Sequence, residues 1–443
     1  MKPDKIRSVI LWSVISAAFI GPGTITTAIT AGATFQLSLL WAVVFATIAC
    51  IVLQEVSARI IISSGLTFGE CIDKGFQLSW IKWLVALPVL LGCAAYEAGN
   101  ILGAVSGLSL LISVNTKWLT LGITGCAAII LWQGGSKLIS GVMTFLVLVM
   151  AIAFAVLAVK AKFTIGEILK ASAVPKLPLG SEWIALAVVG TTIVPYNIFI
   201  GSAISKGNTI PLMRIGLTIS VLIGGLITAC ILLAGTVAGS FTSFPALAEI
   251  LGNNIGPWAA FALGIGLFAA GFSSAITSPY AASLIGSTVL RSQNKNQIRM
   301  IWIFVLLTGF VFGISGIKPI PVILAVQALN GFVLPLLTYF LIIMVNDDRL
   351  VKPEHRHAQW YNGVLLVIFG TTSLIGINSI DKAISDAVHT SQHPALVIGI
   401  TLVIISVVAA QLFRVRQKKI VKNQVSLANV LMYRSGTSPL VAV

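Results

Sequence analysis

Two proline-containing breaks interrupt long apolar stretches of this chain, and they restrict its fold more than any other feature. The first is GPGTITTAITAG at Gly21–Gly32 and the second is GTTIVPYNIF at Gly190–Phe199. Proline lacks a backbone N–H and disfavours a helical conformation at the residue before it. Because lipid cannot hydrogen-bond the backbone groups that are freed, each break is expected to line a cavity or to pack against neighbouring helices.

The surrounding composition places these breaks in a membrane. Apolar residues make up 57% of the 443 residues and charged residues only 9%, which excludes an ordinary soluble domain. We predict an all-α polytopic protein with about twelve spans. The predicted spans are 9–35, 37–62, 84–112, 117–134, 137–159, 181–204, 214–240, 256–288, 298–316, 320–345, 359–377 and 394–412.

The positive charges predict an orientation. With both termini in the cytoplasm, three quarters of the 28 Lys and Arg residues lie on the cytoplasmic side. The same bias accounts for the net charge of +15, so no nucleic-acid partner is predicted. The first apolar run continues past its break without an evident cleavage site, which favours a first span over a signal peptide. Short loops favour a bacterial inner membrane.

The paired breaks predict a substrate site. Discontinuous helices at matching positions in two halves of a chain are typical of secondary transporters, whose substrates bind between them. The alternative is a pair of simple proline kinks that neighbouring helices satisfy.

One acidic residue lies deep in a predicted span. Apart from Glu182 at the very start of a span, only Glu55 and Glu97 fall inside spans, and Glu97 is the deeper; Asn100 follows it by about one turn. An ionisable group at that depth is costly and points to function. The cost is relieved if Glu97 carries a proton during part of a transport cycle, which makes Glu97 and Asn100 candidates for proton coupling. The alternative is a neutral Glu97 with a structural hydrogen bond.

Several motifs resemble the NRAMP family of divalent-metal transporters over nearly the whole chain. The first break resembles the first-helix DPGN motif with its following AGA, and LQEVSARIIISSG from Leu53 resembles the second-helix LQ…ARLG…TG. EAGNILGAVSGLSLL from Glu97 resembles the third helix. AAGFSSAITSPYA from Ala269 resembles the eighth-helix AAGQSSTITGTYAG, and VQALNGFVLPLLTYFLIIMVND from Val326 resembles the tenth.

The resemblance implies the fold of the bacterial leucine transporter, with two inverted five-helix repeats and two further helices. It divides the chain into a cytoplasmic N-terminus at 1–8, a first repeat at 9–180 (spans 1–5), a second repeat at 181–345 (spans 6–10), spans 11 and 12 at 346–412, and a cytoplasmic tail at 413–443.

The resemblance fails at the metal ligands. The family holds its ion with the aspartate and asparagine of DPGN, a methionine before the sixth-helix proline, and a carbonyl three residues earlier. The matching positions here are Gly21, Thr24, Val194 and Thr191. Two sixth-helix histidines of the family match Tyr196 and Gly201. We therefore assign no metal site, since carbonyls and one hydroxyl bind manganese or iron poorly.

The candidate substrate-binding residues surround the two breaks. They are Gly21, Pro22, Gly23, Thr24, Thr191, Val194, Tyr196, Asn197 and Gln327. Ser273 and Ser274 mark a sodium-type site of related folds, and Phe272 adds aromatic surface near the predicted cavity.

Three classes of function stay open at this point. The first is NRAMP-related metal transport by alternating access, with a proton or sodium as coupling ion. The second is transport of a small organic or anionic solute, which the positive ends of broken helices favour. The third is a non-transporting membrane sensor or enzyme, for which we find no catalytic constellation. No cofactor is predicted. The partners are the substrate and the bilayer, and the sequence leaves monomer and homodimer open.

Overall fold

A computed structural model describes residues 3–76, 80–134, 136–239, 241–291, 294–388 and 390–413. The tail beyond Phe413 and the side chain of Gln327 lie outside this described part. The described residues are helical, without a β-strand. The α-helices are α1 Pro3–Phe19, α2 Pro22–Phe35, α3 Leu40–Ser64, α4 Phe68–Phe76, α5 Ile81–Ser109, α6 Thr116–Gln133, α7 Ser136–Ala158, α8 Ile165–Ala173, α9 Glu182–Thr192, α10 Pro195–Ser205, α11 Ile210–Ala238, α12 Phe244–Ile255, α13 Trp258–Leu290, α14 Lys295–Ile314, α15 Pro319–Val345, α16 Trp360–Val388 and α17 Pro394–Phe413.

Each predicted apolar stretch coincides with helix. The first stretch consists of α1 and α2, and the sixth consists of α9 and α10, so both predicted breaks are present. Within the described residues, nine helical segments are long and apolar enough to cross a membrane. The largest error in a predicted boundary is in the eleventh stretch, which we ended at 377 although α16 runs to Val388.

Three short helices, α4, α8 and α12, lie between the long ones. Helix α8 begins with a capping box, in which Thr164 accepts from the Glu167 N–H and Glu167 accepts from the Thr164 N–H. The hydrogen bonds from Thr164 lower the pKa of the exposed Glu167 carboxyl. This reciprocal cap explains why so short a segment is helical.

Glycines allow a close helix contact between α5 and α13. A Cβ atom at Gly271 would lie 2.3 Å from the backbone nitrogen of Ala104, and one at Gly107 would lie 2.3 Å from the nitrogen of Phe268. Without side chains the two backbones touch, which increases van der Waals packing where lipid offers no hydrophobic gain. This crossing places the polar residues of α5 against the serines of α13.

A buried ionic cluster joins α3, α11 and α16 and accounts for the second acid found inside a span. Glu55 forms a salt bridge with Arg59 one turn later, and a second with Arg214 at 3.0 Å. Its other carboxylate oxygen accepts from the hydroxyl of Tyr361 at 3.2 Å. The Arg59 guanidinium also donates to the His355 carbonyl at 2.8 Å. Glu55 is thus paired with positive charge, whereas Glu97 lies elsewhere in the bundle.

Replacing Gly271 by alanine should destabilise the protein. The new methyl group would meet the α5 backbone, and overpacking of this kind costs about 1–3 kcal/mol. The measurement is the thermal unfolding of the purified protein in detergent. The matched control is Gly122→Ala on α6, whose added Cβ meets nothing within 4 Å. Equal melting temperatures for the two variants would contradict the close contact.

Candidate functional site

The first break separates α1 from α2 at Ile20 and Gly21. Gly21 is extended, with φ −100° and ψ 179°, and no side chain caps the N-terminus of α2 that follows. Pro22 is the first residue of α2, where its missing N–H costs nothing. Its ring packs against Gly103 of α5, because a Cβ there would lie 2.2 Å from Pro22 Cγ.

The second break separates α9 from α10 at Ile193 and Val194. Val194 is extended, with φ −83° and ψ 127°, and again no side chain caps the helix that Pro195 begins. The two breaks meet, since the Thr24 hydroxyl lies 3.4 Å from the carbonyl oxygen of Thr191. Two helix N-termini, each carrying a partial positive charge, therefore begin at one place.

Side-chain donors from three other helices satisfy the carbonyl groups at the end of α1. A helix end leaves its last carbonyls without intrahelical partners, and such groups are costly in lipid. The four bonds are Asn197 Nδ2 to the Ile15 oxygen (3.1 Å), Ser273 Oγ to Ala17 (3.2 Å), Tyr196 Oη to Ala18 (2.9 Å) and Thr24 Oγ1 to Phe19 (2.5 Å). The break is therefore stabilised by α2, α10 and α13 together.

A cavity of about 30 Å³ lies between the two breaks. Its volume is enough for about two water molecules. The lining residues are Ala18, Phe19, Gly21, Gly23, Thr24, Tyr96, Gly99, Asn100, Thr191, Val194, Tyr196, Ser274 and Ile323. The polar groups among them are hydroxyls, an amide and backbone groups. Across the described residues, no three His, Cys, Asp or Glu side chains come together as a metal cluster.

Ser274, Asn100 and Gly21 converge at one wall of this cavity. A Cβ at Gly21 would lie 3.0 Å from Ser274 Oγ and 3.7 Å from Asn100 Oδ1. Ser274 is 1% exposed, and its hydroxyl has no hydrogen-bond partner among the described residues. A buried hydroxyl without a partner is costly, so this wall offers an oxygen ligand to a polar occupant.

Glu97 lies behind that wall. It is fully buried on α5, and Asn100 donates to its Oε2 at 3.4 Å. Its Oε1 has no partner among the described residues. Its methylene groups pack on α14, where a Cβ at Gly309 would lie 2.7 Å from Glu97 Cγ. Asn100 therefore connects the buried carboxyl group to the cavity.

The two serines of α13 differ in their bonding. Ser273 donates to the carbonyls of Ala17 and Ala270, at 3.2 and 3.0 Å, whereas Ser274 faces the cavity. The Ser273 hydroxyl thus bridges α1 and α13, as a structural bond would. The sodium-type site predicted from these serines stays a prediction.

Gly201, which we matched to a family histidine from the sequence, lies against the side chain of Gln54. A Cβ at this position would lie 2.0 Å from Gln54 Oε1 on α3. Gln54 is 1% exposed, and this oxygen has no partner among the described residues. The glutamine of α3 fills the space beside Gly201.

Comparison with known proteins settles the family. Residues 13–381 match the family model described as Nramp, natural resistance-associated macrophage protein-like. The chain belongs to this family. Two similar relatives are each named "Divalent metal cation transporter MntH", from Yersinia pestis (strain Pestoides F) and Yersinia pseudotuberculosis serotype O:1b (strain IP 31758). Each is 26% identical over 356 residues, covering 76% of this chain and 86% of the relative.

Solved structures with the same fold include a manganese transporter of Eremococcus coleocola in complex with an aromatic bis-isothiourea substituted compound. The TM-score is 0.75 with 16% identity, and the match covers 94% of each chain. A nucleobase-cation-symport-1 family transporter in a closed conformation matches with a TM-score of 0.57 and 14% identity, over 93% of each chain. The predicted fold class is confirmed, and this NRAMP-family chain is a multi-pass membrane transporter rather than an enzyme.

The structure brings most of the predicted site residues of this NRAMP-family chain to the cavity. Those that line it are Gly21, Gly23, Thr24, Asn100, Thr191, Val194, Tyr196 and Ser274. Pro22 and Asn197 instead support the breaks, and Phe272 stacks on Phe268 at 5.5 Å, outside the lining. The side chain of Gln327 lies outside the described residues.

Sequence reasoning missed five lining residues: Ala18 and Phe19 at the end of α1, Tyr96 and Gly99 on α5, and Ile323 on α15. Tyr96 and Gly99 carry the clearest signal, because positions 96, 99, 100 and 103 follow helical spacing and share one face of α5. The Tyr96 ring meets the Tyr196 ring edge-on, with centroids 5.7 Å apart. Ile323 carries no chemical signal, and only the packing of α15 places it here.

Replacing Thr24 by valine should destabilise this transporter by about 1–3 kcal/mol, because the buried Phe19 carbonyl loses its donor while the side-chain shape is retained. Thermal unfolding in detergent measures the effect. The matched control is Thr308→Val, which removes an exposed hydroxyl-to-carbonyl bond within α14. If both variants unfold at the same temperature, the hydroxyl of Thr24 does not hold the break.

Proposed function

We propose that this chain is a secondary-active transporter of a hard divalent cation, moved by alternating access through the cavity between the two breaks. Relatives named as divalent metal cation and manganese transporters support the substrate class. The two broken helices support the mechanism, since one bundle can rock against the other around a fixed site. Magnesium is the representative ion of the class.

The donor set at the cavity is the observation that carries this proposal. Ser274, Asn100 and Thr24 present oxygen atoms, and the Thr191 carbonyl lies beside them. Oxygen ligands suit magnesium, calcium and manganese, whereas thiolate and thioether ligands select softer metals. Magnesium in addition keeps several of its waters, which compensates for a site with few charged ligands. A softer ion gains nothing from these donors.

The positions that match the family's ligands support a change of selectivity. Gly21, Thr24 and Val194 stand where the family has aspartate, asparagine and methionine, and all three line the cavity. We infer that the carboxylate, the amide and the sulfur were replaced together. The remaining carboxyl group near the site is that of Glu97, which Asn100 links to the cavity wall.

Glu97 is the proposed coupling group. A buried carboxyl with one unpartnered oxygen is more easily accommodated with a proton than without one. An ion that reaches Ser274 and Asn100 favours the charged carboxylate, so that cation binding and proton release are linked. Glu97 then releases its proton when the cation binds and takes up a proton when the cation leaves.

A second candidate substrate is a small anion or carboxylate-bearing solute. Helices α2 and α10 both begin at the cavity without a side-chain cap, so their partial positive charges are directed at one place. No acidic side chain is among the residues that line the cavity in the described part of the chain. Such an arrangement suits a carboxylate group.

Flux into proteoliposomes that contain the purified protein tests both candidates. We expect saturable magnesium uptake that exceeds manganese uptake. An inward proton gradient should change the rate of this magnesium uptake. Glu97→Gln should carry the ion without any response to the gradient, because the amide takes up no proton. The matched control is Glu249→Gln, an exposed acid on α12.

Three outcomes of this flux assay contradict parts of the proposal. Gradient dependence that persists in Glu97→Gln removes that residue from coupling. Manganese uptake that exceeds magnesium uptake shows that the lost ligands are not needed. If the folded protein takes up neither ion, the small anion or carboxylate-bearing solute is favoured. A competition screen with labelled carboxylates would then test that candidate.

Restoring the family's ligands should create manganese binding. The variant is Gly21→Asp, Thr24→Asn and Val194→Met, with Ser274→Ala added because Ser274 Oγ lies 3.0 Å from the new Cβ at position 21. Calorimetric titration with manganese is the measurement, and we expect binding at least tenfold tighter than in the parent. The control lacks only Gly21→Asp. A folded variant without any gain would mean that the site is mapped wrongly.

A further inference from the structure

A second, larger cavity lies between α3, α9, α16 and α17, apart from the site described above. Its volume is about 600 Å³, within the range of small-molecule sites. The lining residues are Trp41, Phe45, Leu177, Glu182, Trp183, Ala185, Leu186, Val189, Thr371, Leu374, Asn378, Gln392, Pro394, Val397 and Ile398. Ile398 is 53% exposed, so the cavity opens to the outer surface of the helix bundle, where lipid lies.

Polarity changes along this cavity in the same direction on each helix. Helix α9 contributes Glu182 at its first turn and Leu186 and Val189 further along. On α17, Gln392 precedes the helix and Val397 and Ile398 follow one turn inside. The polar side chains lie at the helix ends and form the rim of the cavity, and the apolar side chains line its deeper part.

The other two helices repeat the pattern. Helix α16 presents Asn378 toward its end and Leu374 one turn deeper, and α3 presents Trp41 at its start and Phe45 one turn deeper. Thr371 is the polar residue in the deep part, and its hydroxyl donates to the Val367 carbonyl at 3.0 Å. The indole N–H of Trp41 donates to the Lys176 carbonyl at 2.8 Å, as is typical of tryptophan at a membrane interface.

Charges of both signs lie at this rim or beside it: Glu182 lines the cavity, and Lys382 contacts the lining residue Trp183. Lys382 lies over the Trp183 ring, with Nζ 5.8 Å from its centroid, and no described acid lies within ion-pair distance of it. The neighbouring Asp381 is occupied by His393, which contacts it at 3.1 Å. Glu182 is exposed at the rim and likewise forms no salt bridge with any described residue. A cation and a carboxylate thus border one apolar cavity.

We propose that this cavity binds one aminophospholipid, with an acyl chain in the apolar depth, the phosphate at Lys382 and the primary ammonium at Glu182. A headgroup with both charges matches a rim with both charges, whereas an anionic headgroup meets Glu182 unfavourably. Each buried methylene of the chain contributes about 0.8 kcal/mol. The site does not depend on which ion the transporter carries.

The lipid contacts the half-helix that ends at the central cavity. Trp183, Leu186 and Val189 of α9 face the lipid cavity, and Thr191 of the same helix faces the substrate cavity. A bound acyl chain fills the space between α9 and the pair α16 and α17. It therefore stabilises the position of α9 that this structure shows.

Native mass spectrometry tests the proposal. The purified protein in detergent is equilibrated with an equimolar mixture of phosphatidylethanolamine, phosphatidylglycerol and phosphatidylcholine. We expect one phosphatidylethanolamine to be retained in preference to the other two. Leu186→Trp fills the cavity and should abolish this retention. The matched control is Leu148→Trp, which adds the same ring at a 56% exposed position of α7.

Two surface variants separate the lipid site from a folding defect in Leu186→Trp. Glu182→Gln should lower the preference for phosphatidylethanolamine over phosphatidylglycerol by up to about fivefold, the upper end of the range for an exposed ion pair. Lys382→Gln should lower the retention of both. Glu249→Gln controls for the loss of an acid elsewhere. Equal retention of the three lipids, or a preference unchanged in Glu182→Gln, would mean that only nonspecific surrounding lipid is bound and would overturn the proposal.

Discussion

The hydrogen bonding of the carbonyl groups at the end of α1 is the constraint on which the rest of the structure depends. Lipid supplies no donors, so a helix that stops inside the membrane needs donors from the protein. Here they come from a hydroxyl across the break, from a hydroxyl of α13, and from the phenol and amide of α10. The four donors come from three other helices, α2, α10 and α13. The break therefore exists only in the assembled fold, and α10 and α13 cannot move far from α1 without exposing these groups.

The same bonds decide what the substrate meets. Because the hydroxyl groups of three side chains donate to the carbonyls of Ala17, Ala18 and Phe19, the oxygen atoms left for an occupant are chiefly those of Asn100, Ser274 and Thr191. They are neutral, and Asn100 donates a hydrogen bond to the nearby acid, Glu97. Neutral oxygen donors hold a divalent ion less tightly than carboxylates do, because affinity rises with the number of charged ligands. For the proposed transport this is an advantage, since the ion must leave as readily as it enters.

The sequence was sufficient to locate both breaks, because proline and glycine act locally and the lipid penalty is general. It was also sufficient to place the twelve apolar stretches in helices, although only nine helical segments of the described residues are long and apolar enough to cross a membrane. It failed where long-range packing decides. Phe272 lies within the motif that begins at Ala269, and we expected its ring near the cavity, yet it stacks on Phe268. Ile323 lines the cavity because α15 packs there. The residues next to it in the sequence give no signal that predicts this position. The extension of α16 to Val388 was missed because the apolar run stops at polar residues, whereas the helix continues through them.

The contact between Gly201 and Gln54 couples a position of α10 to a position of α3. The amide oxygen of Gln54 lies where any side chain at position 201 would begin. That oxygen is the far end of a flexible side chain and has no hydrogen-bond partner among the described residues, so a larger residue at 201 is accommodated when Gln54 adopts another rotamer. The residue that one position tolerates therefore depends on the conformation of the other, and substitutions at 54 and 201 should be non-additive.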